Sequence, residues 1–421
     1  MSLAKQVPAG LLDSGLAAFA NFAVGVFAVR YFTAAELGIY SLFFSAVYLA
    51  SVVPANLVFL PARVRMLSAP QGQRLASYGS TVRTGVVSAT SAALVVVLAL
   101  PSALSATDDL TFLVPLVATA YVAACLSPQQ DHLRSLMHHG GASWSAAVVS
   151  LVQAIVTTVV IIVALVADIP PTWVPFGGLI AANATSLAVG IALLRSQRDS
   201  VALPAFAFAD LARAGRWLVT TDLLREGADF VARMIVLALT TAEILGIAAG
   251  ARIAARPVDV FVLGITAVVA PRSMRAGRER DAGDAGRLAR VSYGAVIAVG
   301  VAYLAAAGGD WPWNLMARLA PIGYTIDGLV AFTIVASVAA GLLFVERTQL
   351  IGGQRERSIT TVEVAAVVVG LVSVMSVVAI GAFALPLMVL VSSVVRWIGY
   401  RRALRRLRGS RVPDDTAVPT R

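Results

Sequence analysis

Eight ionisable side chains lie inside two apolar stretches that are each long enough to cross a bilayer, about 217–239 and 246–270. The first carries Asp222, Arg225, Glu226, Asp229 and Arg233; the second carries Arg252, Arg256 and Asp259. A charge at bilayer depth costs about 2.5–3.5 kcal/mol on insertion scales unless it is paired or faces water. So many in two consecutive segments predict a polar cavity within the membrane. Arginine is the cation suited to a phosphate group, because its planar fork donates two parallel hydrogen bonds. Carboxylates crowded in a low dielectric resist joint ionisation, so one of them takes a proton or shares a cation. Arg225, Arg233, Arg252 and Arg256 are therefore the candidate anion-binding residues, with Arg30 as an outlying member. Glu226, Asp229 and Asp259 are the candidates for coupling to H+ or Na+. The bland alternative is that the charges only pair with one another to fix helix packing, and Asp222, near a membrane face, fits that role best.

At 100° per residue, positions 222, 225, 226, 229 and 233 share one helix face, and positions 252, 256 and 259 share another. Folding the two segments as a hairpin about 240–245 predicts three layers. Arg233 and Arg252 lie at one depth, Asp229 and Arg256 at the next, and Glu226 and Asp259 at the third.

The elements that must hold these groups follow from composition. The chain has 421 residues, 58% of them hydrophobic and 13% charged, with mean hydropathy +0.83. Soluble domains carry about 25% charged residues. Twelve spans are predicted, near 9–32, 38–60, 84–104, 111–130, 144–167, 177–194, 217–239, 246–270, 291–307, 326–345, 360–380 and 383–399. The fold class is thus all-α and polytopic, with no separate soluble domain and no cleavable leader. Placing both termini inside puts most arginines in cytoplasmic loops. Arg318 alone is left outside, among Glu36, Asp108, Asp109, Asp168, Glu243 and Asp310. The basic segment RRALRRLRG at 401–409 predicts contact with anionic lipid. The net charge of +10 is explained by this topology, so nucleic acid is not an expected partner. One cysteine, Cys125, excludes an intramolecular disulfide framework. The cluster SPQQDHLRSLMHHGG (127–141) contains His132, His138 and His139 but lacks metal-ligand spacing, and reads as an amphipathic cytoplasmic connector. No Walker A loop, nucleophile elbow or dinucleotide fingerprint is present. A membrane polymerase or ligase would need catalytic residues on a sizeable loop, and the loops here are short.

The two halves echo each other. LLDSG (11–15) resembles LLREG (223–227), TAAELGI (33–39) resembles TAEILGI (241–247), and PARVRM (61–66) resembles PRSMR (271–275). RSLMHHG (134–140) is a weaker echo of RTQLIGG (347–353). Six spans per half gives a parallel repeat, with a site expected where the halves meet. The expected units are 1–200, 201–400 and a basic cytoplasmic tail, 401–421.

With the opening GLLDSGLAAFANFAVGVFAVRYFTAAELGIYSLFFSA (10–46) and its counterpart at 241–276, the chain resembles the multidrug/oligosaccharidyl-lipid/polysaccharide (MOP) exporter superfamily. Within it, the chain looks most like the Wzx-like polysaccharide-biosynthesis flippases. That resemblance implies two six-helix lobes in a MATE-like arrangement. It also implies alternating access, moving a polyprenyl-pyrophosphate-linked oligosaccharide from the inner to the outer leaflet of a bacterial cytoplasmic membrane. Pathway polymerases and glycosyltransferases are the implied protein partners, and the chain would not be an enzyme. A drug or small-cation exporter of the same fold is the alternative, although such a cavity would normally be net acidic.

Overall fold

A computed structural model describes residues 3–66, 71–197 and 206–409. Among them the chain is helical throughout, with no strand. Twelve rods run in order: α1 (Leu3–Tyr31), α2 (Ala34–Arg65), α3 (Leu75–Leu104), α4 (Leu110–His139), α5 (Ser143–Val166), α6 (Pro171–Ser196), α7 (Phe208–Leu239), α8 (Ala242–Glu279), α9 (Ala282–Ala307), α10 (Leu329–Gly352), α11 (Glu356–Val374) and α12 (Ala384–Gly409). Among the described residues ten stretches are long and apolar enough to cross a membrane; α7 and α8, the two charged helices, are not among them. The chain is a multi-pass membrane protein. Residues 410–421 of the expected tail lie outside the described residues; 401–409 continue α12 as helix.

Local signals set the helix starts. Thr33 and Glu36 close a reciprocal capping box at the head of α2. Asp109 and Asp281 cap α4 and α9 by accepting from the next backbone N–H groups. These caps satisfy donors that lipid cannot. In α2 the ladder widens to a π turn over Ala55–Phe59, between Pro54 and Pro61. Such bulges relieve the backbone where a proline removes a donor.

Packing repeats between the halves. In the first, α1 lies against α5, α5 against α6, α4 against α6 and α2, and α3 against α2 and α4. In the second, the corresponding pairs are α7–α11, α11–α12, α10–α12, α10–α8, α9–α8 and α9–α10. The halves join through α2 on α8, α1 on α8, and α2 on α7. Consecutive helices α7 and α8 touch little, as do α1 and α2. The hairpin expected from sequence is therefore not the packing unit: α7 and α8 each pack mainly on other helices.

The α2–α8 crossing is backbone on backbone. A Cβ on Gly38 would sit 2.0 Å from the Ala242 carbonyl oxygen, and one on Gly246 1.7 Å from that of Ala34. Only glycine fits at either position, and close approach of this kind replaces the hydrophobic drive that lipid does not supply. These two glycines are the matched glycines of TAAELGI and TAEILGI, so the repeat contributes one residue from each half to the same contact.

The 127–141 segment is not a surface connector. Most of it forms the last turns of α4, with Gln129, Gln130 and His132 buried. His132 stacks on Phe59 at 4.1 Å between centroids, and its Nε2 lies 3.0 Å from the Thr81 hydroxyl.

Candidate functional site

The charged face of α7 lines a cavity of about 160 Å³ inside the second half of the chain. Its polar walls are Arg225, Glu226 and Asp229 from α7, Arg252 from α8, and Ser392 and Arg396 from α12. Arg252 lies ten residues into α8, about 15 Å along the helix axis, well inside the expected span.

Asp229 is the centre of this arrangement. Its Oδ2 accepts from Arg233 Nε at 3.0 Å, and its Oδ1 accepts from Arg252 Nη1 at 2.9 Å. The two arginines differ in access: the Arg233 side chain is 8% exposed and that of Arg252 is 52% exposed. Arg233 is thus a buried counter-charge one helical turn away, whereas Arg252 keeps donors free to meet a ligand. Arg225 reaches its neighbour Glu226 with Nε and Nη2, both at 3.0 Å. Arg396 Nε donates to Glu363 Oε2 at 2.9 Å, and the Tyr400 hydroxyl donates to the other oxygen of that carboxylate.

Other expected members sit elsewhere. Arg256 donates from Nη2 to the Tyr48 hydroxyl at 3.2 Å and lies over the Phe44 ring, both on α2. It belongs to the seam between the halves and does not pair with Asp229. Asp259 lies beside Ser337 of α10, with Arg252 and Arg256 near it, and Glu226 is engaged by Arg225. Arg30 donates to the Arg318 carbonyl oxygen at 2.9 Å, tying α1 to the short helix Leu315–Leu319 of the other half. It stands apart from the cavity.

Asp222 holds the packing role expected for it, with unforeseen partners. Its Oδ1 accepts from Arg347 at 2.6 Å, and its Oδ2 accepts from Asn56 at 3.1 Å. Asn56 comes from the π turn of α2, so this carboxylate joins the halves. Arg347, expected in a loop, lies within α10. The first half has a matching pair. Asp13 of α1 is 2% exposed and accepts from Arg134 Nε and Nη2 at 3.0 and 2.7 Å. Ser150 donates to it at 2.5 Å, and His138 Nε2 lies 2.9 Å away. Asp13–Arg134 and Asp222–Arg347 each link the first and fourth helices of a half, close to the registers at which LLDSG and RSLMHHG repeat. Sequence reasoning gave Asp13 no site role and passed over Glu363 and Arg396. The signal that exposed the α7 stripe, ionisable residues inside apolar spans, applied to all three.

No protein-family model and no curated protein matches the sequence. Solved structures do match over nearly the whole chain. An outward-facing conformation of a multidrug resistance MATE family transporter of the MOP superfamily superposes with TM-score 0.69 at 12% identity, covering 97% of each chain. An inward-facing conformation of such a transporter gives 0.61 at 14% identity, covering 98% of this chain and 97% of the other. A point mutant of a Vibrio cholerae MATE transporter gives 0.60 at 15% identity, covering 97% and 99%. The fold is therefore MATE-like, as the sequence resemblance implied.

Proposed function

We infer that the chain is an alternating-access transporter of the MOP type, and that its cargo is a polyprenyl-pyrophosphate-linked oligosaccharide moved from the inner to the outer leaflet. The observation that carries this reading is the cavity in which Arg225, Arg252 and Arg396 face two carboxylates, Glu226 and Asp229. The lining itself holds one more cation than anions, with Arg396 also tied to Glu363 behind it, and its most accessible cation, Arg252, is half exposed. A pyrophosphate offers the paired oxygens that a guanidinium fork binds. A cavity for small cations would carry the opposite surplus. Glu226, Asp229 and Asp259 are the coupling carboxylates in this scheme, with H+ or Na+ as the driving ion. Arg256 lies at the seam between the halves, outside the cavity lining, and Arg233 holds Asp229 in place. The membrane is the bacterial cytoplasmic membrane with both termini inside, and the working partners are the glycosyltransferases and polymerase of the same surface-polysaccharide pathway.

The test is leaflet translocation of a fluorescent polyprenyl-pyrophosphate oligosaccharide in proteoliposomes, with and without a proton or sodium gradient. Protein-dependent movement that responds to the gradient and is lost in Arg252→Ala supports the reading. Efflux of small organic cations with no movement of the glycolipid would replace it with drug export.

A further inference from the structure

A second cavity, of about 390 Å³, opens where α9, α10 and α12 meet at the arginine-rich face. Arg290 of α9 and Arg401 and Arg405 of α12 rim it, and α10 supplies its floor. The floor is built: Gln349 Nε2 donates to the Ala285 carbonyl at 3.2 Å, and Arg401 Nε stands 4.0 Å from Glu346 Oε1. The Arg401 guanidinium carbon also lies over the Trp397 indole, 4.1 Å from the ring centroid. The hydroxyl of Tyr293, another lining residue, is buried without a hydrogen-bond partner. Three guanidinium groups face one carboxylate, and the wall beside them holds a buried hydroxyl with no partner.

What stands above the cavity decides its occupant. One and two helical turns further along the stripe of Arg290 and Tyr293 come Ile297 and Val301, 47% and 61% exposed. Along the stripe of Arg401 and Arg405 come Trp397 and Val394, 40% and 50% exposed. Two apolar tracks thus run from the cationic rim toward the middle of the bilayer, with the indole at headgroup depth. A soluble anion would use only the rim; a phospholipid would use rim and tracks together. We propose that this cavity is a binding site for the phosphodiester headgroup of an anionic phospholipid in the leaflet at the arginine-rich face, its acyl chains lying along α9 and α12. The site is separate from the α7–α8 charges and does not depend on what they carry.

The experiment uses the full chain purified in detergent and read by native mass spectrometry, titrated with phosphatidylglycerol, with phosphatidylcholine, and with soluble glycerol phosphate. The expected result is one saturable phosphatidylglycerol per protein, bound at least tenfold more tightly than phosphatidylcholine, and no retention of glycerol phosphate. Replacing Arg290, Arg401 and Arg405 together by Gln should weaken that binding tenfold or more. Arg402→Gln with Arg406→Gln, on the same helix but outside the cavity lining, should leave it within twofold. Ala289→Trp keeps every charge and fills the cavity, so it should remove the bound lipid as well; it decides the matter if the triple variant does not fold. Retained lipid in both the triple variant and Ala289→Trp overturns the proposal. So does equal loss in the Arg402/Arg406 pair, which would mean diffuse attraction to the basic helix end. Equal affinity for glycerol phosphate would make this a soluble-anion site and likewise overturn it.

Discussion

Asp229→Ala isolates the energetics of the α7 cavity. The substitution removes the one carboxylate that serves both Arg233 and Arg252. Arg233, at 8% side-chain exposure, is left as a buried cation without its partner, and breaking a buried pair costs about 3–5 kcal/mol. Arg252, at 52% exposure, can be met by water, so its side of the bridge is worth about 0–1 kcal/mol. The expected order of destabilisation is Asp229→Ala, then Arg233→Ala, then Arg252→Ala. Arg233→Ala falls in the middle because Asp229 keeps Arg252. Asp229→Ala combined with Arg233→Met removes both buried charges and should recover most of the loss, giving a coupling of at least about 2 kcal/mol in the cycle. The assay is thermal unfolding of the purified protein followed by tryptophan fluorescence, alongside glycolipid translocation at a temperature where every variant is folded. Arg252→Ala should fold normally and fail to transport. An Asp229→Ala cost no larger than that of Arg252→Ala would refute the reasoning, as would a double variant no more stable than Asp229→Ala alone.

Glu226→Gln with Asp259→Asn should leave transport insensitive to the proton or sodium gradient, measured in the same liposomes; persistent gradient dependence would remove both residues from coupling. Asp13→Ala strips a 2% exposed carboxylate from Arg134, Ser150 and His138, and should destabilise by about 3–5 kcal/mol, read as a fall in unfolding temperature relative to Asp13→Ala/Arg134→Met. Gly246→Val drives side-chain carbons into the Ala34 carbonyl, from which even a Cβ would be only 1.7 Å away; the halves must separate there, and the unfolding temperature should fall well below that of the parent protein. Asn56→Cys with Asp222→Cys should be bridged by a short thiol-reactive crosslinker, since the native side-chain tips meet at 3.1 Å, and failure of every short crosslinker to join them would contradict the α2–α7 contact.

The charged stripe on α7 was legible because a period of 3.6 residues survives any tertiary arrangement. Its partners were not. Depth counting from the 240–245 turn assumed that α7 and α8 lie flat against one another, and both instead pack chiefly on other helices. Arg256 therefore meets Tyr48 and Phe44 of α2 where a hairpin would have given it Asp229. Arg233 and Arg252, expected side by side at one depth, converge on Asp229 because a long guanidinium stem spans most of a helical turn. Arg347 looked like a loop residue because α10 outlasts the apolar run that marked it. Asp13 and Glu363 were readable in principle: each is a lone carboxylate in an apolar span, and their burial shows that one charge deserves the same attention as five. The repeat motifs located equivalent positions, but no sequence comparison shows that Gly38 and Gly246 press against each other across the seam.

That crossing has a mechanical consequence. A contact made by two bare backbones has no interdigitated side chains to unlock, so small rotations about it cost little repacking. From Gly38 to Arg65 the rod runs on for some 27 residues, about 40 Å at 1.5 Å per residue. Tilting α2 by about 10° around the glycines would swing its far end by roughly 7 Å, more than the pitch of one helical turn. The Asn56–Asp222 hydrogen bond lies two-thirds of the way along that lever, where the same tilt would part its 3.1 Å contact. Were α2 to tilt, the glycines would serve as its fulcrum and the carboxylate on α7 as the catch to be released.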